Sequence, residues 1–428
     1  MTLKNARPFS PAERVAIALV GAVICTSVFS IYISKNAQWD FQIYYSSALL
    51  HQSGISPYVS SNFQTLVGET QLYYTYPPFT LYLFYPFAML SLPAAKAIYL
   101  TLKIVALAVL VMLWMRTFRL SKDKWLFLFF VFFAFSGAVI HDMRTGNICM
   151  FEQLVIALGT YWYSRGRIGL AAAAITLAAG LKLGPILLLG ILVSSGRKRE
   201  ILYAAGFGLL FAAVIGITAM VSPVLFSDFR HAIGILQERG QGNPATWPLI
   251  SEGVDALQET ARIRLPQVTK TAIFGAIVVM AAGVSLLSLR RFVIREHPEA
   301  RLWRICLIIL LYAVVLPRFK NYTYILLVGP SFYVLSSSRL PRPLILACAI
   351  VMMFTYTNYL ELGRVLLPFF WTIREYYSLI MAWLLWGLCC YSIAKWGRDG
   401  TLPLHSTKEA ERKRATAVLE AEHRLTAG

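Results

Sequence analysis

Apolar runs of about 18 residues or more recur along this chain, each ended by a short polar or basic stretch. A run of that length crosses a hydrocarbon core of about 30 Å as a helix. The first covers roughly Ala12 to Ile33. No small-residue cleavage site follows it, so it reads as a span and not as a removable leader. Later runs cover approximately 95–118, 124–141, 148–163, 168–181, 185–194, 201–222, 271–290, 303–316, 321–336, 343–360 and 370–396. The pattern predicts an all-α, polytopic transmembrane helical bundle of about 12 spans or half-spans. One interval differs. Phe79 to Leu92 makes a helix of only about 21 Å, and Pro77, Pro78, Pro86 and Pro93 bound and bend it. It is expected to be re-entrant or interfacial. The pair 168–181 and 185–194 is also short, and is expected to go out and back with its tip near Lys182-Leu183-Gly184-Pro185.

Composition agrees with this class. The 428 residues are 57% hydrophobic and 14% charged, against about 25% charged in soluble domains. The net charge of +19 would suggest nucleic acid in a soluble protein. Here the positive-inside rule accounts for it, and no nucleic-acid partner is expected. Clusters stand at Arg165-Gly166-Arg167, Arg197-Lys198-Arg199, Arg290-Arg291 through Arg304, and Lys408 to Arg424. Giving each run a crossing puts all of them on one face together with both termini. The expected organisation is a membrane domain over residues 1–400 and a basic cytoplasmic tail over 401–428. The six cysteines (Cys25, Cys149, Cys306, Cys348, Cys389, Cys390) all fall in apolar runs and read as small hydrophobes.

The opposite face carries the informative polar groups. Residues 34–78 form a first outer loop that is expected to carry interfacial helices. It is rich in aromatics suited to the headgroup layer, among them Trp39, Tyr44, Tyr45, Tyr58 and Tyr76. Its first acid, Asp40, follows the first span directly. Arg144, Lys182, Arg318 and Lys320 also fall on this face, against the charge rule. Charged groups at such depth are costly and are functional hypotheses by default. Cations converging near one acid suit an anionic substrate beside a general base, and a lipid phosphate or pyrophosphate fits. Asp40 would take the proton of a hydroxyl attacking an anomeric carbon, while Arg144, Lys182, Arg318 and Lys320 stabilise the departing phosphate. Tyr44, Tyr45, Tyr76, Asn147, Tyr322 and Tyr324 are candidate contacts to sugar and lipid.

Each residue also has a plainer reading. Asp40 would be a helix cap or a solvated acid, Lys182 a snorkelling lysine, and Arg318 and Lys320 headgroup contacts. Asp142 would pair with Arg144, and Glu152 with a neighbour. Lys103 lies about two turns inside its helix and reads as a cavity residue. His141 and His231 read as ordinary loop or interface histidines. The chain has no phosphate-loop motif, no His-Glu-x-x-His, no Gly-x-Ser-x-Gly, no paired Cys-x-x-Cys and no Asp-x-Asp dyad. No metal or cofactor is expected, and a lipid-linked sugar donor is.

Several of these segments, in this order, carry a resemblance. They are Asp40-Phe41 with Tyr44-Tyr45 and Ala48, Gly54, Pro57-Tyr58 and Tyr76-Pro77-Pro78. Then come Gly146-Asn147, Ala179-Gly180-Leu181-Lys182-Leu183-Gly184-Pro185 and Leu316-Pro317-Arg318-Phe319-Lys320-Asn321-Tyr322. Together they resemble the C-type polytopic glycosyltransferases, and most of all the polyprenol-phosphate-mannose-dependent mannosyltransferases. The resemblance implies a C-type glycosyltransferase architecture and a catalytic aspartate in the first outer loop, here Asp40. It also implies a polyprenyl-phosphate sugar donor, a lipid or glycan acceptor among membrane lipids, and transfer on the extracytoplasmic face of a bacterial plasma membrane. Mannosyltransferase members tend to carry a histidine at the late element, where this chain has Arg318 and Lys320; that difference points to another sugar or acceptor. Two other readings stand beside it: a transporter or flippase for polyprenyl-linked glycans, and a non-catalytic subunit of an envelope-synthesis complex. A transporter is expected to show inverted repeats, and none is evident in the sequence.

Overall fold

In a hydrocarbon layer every backbone N–H and C=O must find a partner within the protein, and a helix supplies one within its own segment. Every regular element among the described residues is helical. The computed structural model describes residues 11–34, 37–67, 74–120, 124–234, 240, 242–262, 265–290, 298–338, 340–353 and 375–399. The predicted tail at 401–428 lies outside them.

The order begins with α1 (Pro11–Ile33), α2 (Trp39–Gln52) and α3 (Ser60–Val67). A 3₁₀ segment (Pro78–Phe84) and the single turn α4 (Tyr85–Ala88) follow. Next come α5 (Leu92–Phe118), α6 (Lys124–Thr145), α7 (Cys149–Ser164) and α8 (Ile168–Leu181), a second 3₁₀ segment (Gly184–Leu189) and α9 (Gly190–Val193). Then follow α10 (Lys198–Val221), α11 (Pro223–Gly234), α12 (Thr246–Ala261), α13 (Gln267–Arg290) and α14 (Pro298–Val315). A third 3₁₀ segment (Asn321–Tyr324) leads to α15 (Ile325–Ser337), α16 (Arg342–Met353) and α17 (Tyr377–Asp399).

Five of these helices are long and apolar enough to cross a membrane: α5, α6, α10, α13 and the first 19 residues of α17. α10 bares Leu202, Leu209 and Met220, as a helix bathed in lipid would. The protein is an integral membrane protein. The proline-rich interval before α5 is not one helix. It is a 3₁₀ turn, one α-turn and a break, because Pro78, Pro86 and Pro93 each stand in the first two positions of a new element. The predicted first outer loop holds two helices of its own, α2 and α3, and the 223–270 stretch holds α11 and α12.

Two packing features place the functional end of the bundle. α7 packs against both α5 and α8. The α7–α8 seam is lined by small buried residues, including Ala171, Ala174 and Ala178 of α8. A Cβ on Gly159 would come within 3.3 Å of the Ala171 carbonyl, so this approach depends on glycine. The start of α7 thereby meets the end of α8. α6 is broken at Ala134–Gly137, where Phe135, Ser136 and Gly137 take left-handed backbone angles. Its last stretch carries Asp142 to the same end.

Candidate active site

The site is built on the turn between α6 and α7. Gly146 has φ +70°, and a Cβ there would lie 3.0 Å from both Gln38 Cα and Phe41 Cβ. Only glycine lets the start of α2 press against this turn. The Gln38 N–H donates to the Arg144 carbonyl at 2.8 Å and fastens the two segments. From below, the fully buried Lys103 of α5 holds the turn. Its Nζ lies 2.6 Å from Asp142 Oδ2, and donates to the Asp142 carbonyl at 2.6 Å and to the Asn147 carbonyl at 2.8 Å.

Asn147 is therefore fixed through its main chain, and its side chain is saturated. Nδ2 donates to Asp40 Oδ2 at 2.7 Å and to the Tyr76 hydroxyl at 3.0 Å. Oδ1 accepts from the Cys149 N–H at 3.0 Å and from Lys182 Nζ at 3.1 Å. Lys182 also pairs with Glu152 at 3.2 Å. The Tyr76 and Tyr44 hydroxyls are 2.7 Å apart. Asp40 lies in the first turn of α2, where the helix dipole favours a carboxylate, but its side chain caps no N–H of that helix.

These groups line a cavity of about 510 Å³, within the usual range for small-molecule sites of about 300–1,000 Å³. Three cations and two acids face it: Lys182, Arg318 and Lys320 with Asp40 and Glu152. Its apolar wall includes Leu183, Pro185, Phe229, Ile233 and Leu316. α11 thus closes one side of the cavity through Phe229 and Ile233, and Ser56 ties it down by donating to Asp228 at 2.7 Å. Lys182 Nζ lies 5.0 Å from the centre of the Tyr322 ring, and Lys320 Nζ 6.0 Å. Burial pushes the Asp40 carboxyl above the usual carboxylate range. The Asn147 hydrogen bond and the charges of Lys320, Lys182 and Lys103 pull it partly back. Among the described residues no group of three or more His, Cys, Asp or Glu is placed to hold a metal ion.

The segment that presents Arg318 is pinned from outside. Asn243, buried before α12, accepts from the Phe319 N–H at 2.6 Å and donates to the Pro317 carbonyl at 3.2 Å. Its two bonds bracket Arg318. Tyr324 reinforces them by donating to the Pro244 carbonyl at 2.6 Å, and Thr246 by donating to the Val314 carbonyl at 2.6 Å.

Eight of the residues singled out in the sequence share the cavity: Asp40, Tyr44, Tyr76, Asn147, Lys182, Arg318, Lys320 and Tyr322. Three others lie elsewhere. Arg144 is exposed outside the cavity lining. The Tyr45 hydroxyl donates to the Leu90 carbonyl at 2.8 Å. Tyr324 is fully buried between Phe135 and Phe319. Asp142 pairs with Lys103 and not with Arg144, because the buried carboxylate needs a cation within the core. His141 stacks on Tyr322. Asn243 was not foreseen; an asparagine beside a proline is an ordinary turn signal.

The family model described as glycosyltransferase family 87 matches residues 74–317, more than half of the chain. No curated protein matches it.

Proposed function

The chain belongs to glycosyltransferase family 87 and is an integral-membrane glycosyltransferase; from that premise we propose that it transfers a sugar from a polyprenyl-phosphate donor to a hydroxyl of a lipid or glycan acceptor, with Asp40 as general base. Family members are polyprenol-phosphate-mannose-dependent membrane mannosyltransferases, which supports the donor class. The observation that carries the reading is the cavity itself: Asp40, held through a single oxygen, and Glu152, paired with Lys182, share a space of about 510 Å³ with three cations.

The acceptor hydroxyl attacks the anomeric carbon, its C–O bond forms, and the bond from that carbon to the phosphate oxygen breaks. Asp40 takes the hydroxyl proton, and the polyprenyl phosphate leaves with the electron pair. Lys182, Arg318 and Lys320 stabilise the charge on the departing phosphate, where a water-poor site makes such groups most effective. The raised Asp40 carboxyl suits a base that works near neutral pH. Leu183, Pro185, Ile233 and Leu316 give the prenyl chain an apolar path to the bilayer. The distribution of basic clusters supports an extracytoplasmic cavity.

The test is Asp40→Asn. It keeps the size and the Asn147 contact but accepts no proton, and loss of a general base costs about 10²–10⁴ in rate. Sealed right-side-out and inverted vesicles receive polyprenyl-phosphate mannose from outside, and transfer to endogenous acceptors is followed. The expected result is transfer in right-side-out vesicles and its loss in the variant at equal protein and equal donor binding. Near-normal turnover by Asp40→Asn removes the base assignment, and transfer confined to inverted vesicles reverses the sidedness.

A further inference from the structure

Asn147 looks at first like a side chain waiting for a sugar, since it reaches the cavity and carries both a donor and an acceptor. Its bonds argue otherwise. Both N–H groups and both positions on the oxygen are engaged within the protein. A sugar hydroxyl would have to displace one of four bonds. The orientation of the amide is also forced. The Cys149 main-chain N–H can only donate and the Lys182 ammonium can only donate, so the group between them is the oxygen. The NH₂ must then face Asp40 and Tyr76. The frame around it is rigid on every side, with Lys103 on its carbonyl, Gly146 before it and α7 after it.

We propose that Asn147 is a positioning residue: it fixes the Asp40 carboxylate by one oxygen, Oδ2, and so leaves Oδ1 as the atom that takes the acceptor proton. The inference rests on Asp40 being the base. It replaces a sugar contact by an internal one, and it gives Lys182 a second task beyond any phosphate contact. By holding the amide oxygen, Lys182 sets which face of the amide Asp40 meets. The donor side and the acceptor side of the cavity are thereby joined through one side chain.

A further consequence concerns pH. The groups that act on Asp40 are Lys103 and Tyr99 from α5, Asp142 from α6 and Lys182 beyond α8. Lys320 and Tyr322 come from the late segment, and Tyr44 and Tyr76 from the Asp40 side of the cavity. None of them touches the carboxylate in place of Asn147. Removing the amide donor withdraws a contact that favours the charged form, so the Asp40 proton must be held more tightly and leave at higher pH.

Two variants and two readouts test this. Asn147→Ala removes the amide. Asn147→Asp keeps the shape and the Cys149 and Lys182 bonds, but sets a second carboxyl against Asp40, where two acids share one proton. The first readout needs no substrate: carbodiimide modification of Asp40 in the purified full-length protein is measured against pH by peptide mass spectrometry. The second is the pH profile of transfer from polyprenyl-phosphate mannose in right-side-out vesicles. Both variants are expected to move the Asp40 labelling midpoint and the acid limb of transfer to higher pH, Asn147→Asp further. Transfer at neutral pH should drop by roughly tenfold to a hundredfold, with the donor KM unchanged. A raised donor KM at unchanged kcat would show a sugar contact and overturn the proposal. Wild-type midpoints in both variants would overturn it too, even with Asp40→Asn inactive. An active Asp40→Asn enzyme would instead remove the base assignment on which the proposal stands.

Discussion

Two lysine–carboxylate pairs flank Asn147, and they differ in one respect that decides what each can do. Lys103 and Asp142 are 1% and 0% exposed and 2.6 Å apart. Lys182 and Glu152 are 20% and 2% exposed and 3.2 Å apart. Lys103 Nζ donates to two main-chain carbonyls, lies against one carboxylate oxygen and does not reach the cavity. Lys182 Nζ donates to Asn147 Oδ1, pairs with Glu152 and lines the cavity. A fully buried cation away from the cavity holds structure. A partly exposed cation at the cavity wall can also take a ligand. The first pair sets the main chain of Asn147 and the second sets its side chain, so one residue joins the scaffold to the chemistry.

The largest effect should come from breaking the closed pair. Lys103→Met keeps length and apolar volume but leaves the Asp142 carboxylate buried without its cation. That loss is worth about 3–5 kcal/mol, a large share of the stability of an ordinary domain. Thermal unfolding in detergent should show a strongly lowered midpoint and poor yield. Adding Asp142→Leu replaces the whole pair with apolar groups, which is often close to neutral. Most of the stability should return. Transfer should not, because the Asn147 carbonyl still lacks its donor. A single variant as stable as wild type would mean that the pair is not structural, and full activity in the double variant would mean that it does not position Asn147.

Breaking the open pair should leave the fold nearly intact and weaken binding. Lys182→Ala removes one charge-assisted contact of about 1.5–3 kcal/mol to a donor phosphate, roughly a tenfold to hundredfold loss in affinity. Titration with polyprenyl-phosphate mannose measures it, with unfolding followed in parallel. Unchanged affinity would put the phosphate elsewhere in the cavity. A collapse in stability comparable to that of Lys103→Met would erase the distinction between the two pairs.

The same contrast explains what could be read from residues alone. The helical spans were legible because the hydrocarbon core imposes a length and an apolar pattern; α5 and α13, two of the five helices long enough to cross, end at the predicted residues Phe118 and Arg290. Asp40 and Lys182 were legible as polar interruptions of that pattern. Their partners were not. Lys103 meets the Asp142 carbonyl across 39 positions, and Asn243 meets Pro317 across 74. Nothing in local spacing marks such pairs, so the nearest cation, Arg144, stood in for the true partner of Asp142. Tyr322 and Tyr324 also look alike in sequence and share one 3₁₀ turn, yet they meet different surroundings. Tyr322 lines the cavity, while Tyr324 enters the core and binds the Pro244 carbonyl.

The smallest expected effect lies farthest from either pair, at Asn243. It does not line the cavity, yet it fixes the main chain on both sides of Arg318 through Phe319 N–H and the Pro317 carbonyl. Each such bond contributes about 0.5–1.5 kcal/mol net. Tyr324 and Thr246 hold neighbouring stretches of the same strap and will limit the movement. Asn243→Ala should therefore let Arg318 wander without unseating it. The donor KM is expected to rise a few-fold, roughly what one ordinary hydrogen bond is worth. kcat should stay close to wild type, because Asp40, Asn147 and their bonds lie on other elements. Asn243→Asp should fall between the two, since it still accepts from the Phe319 N–H but no longer donates to Pro317. Steady-state kinetics with polyprenyl-phosphate mannose separate the outcomes. A fall in kcat at constant KM would tie this strap to the base instead of to the phosphate cations, and would place Arg318 on the acceptor side of the cavity.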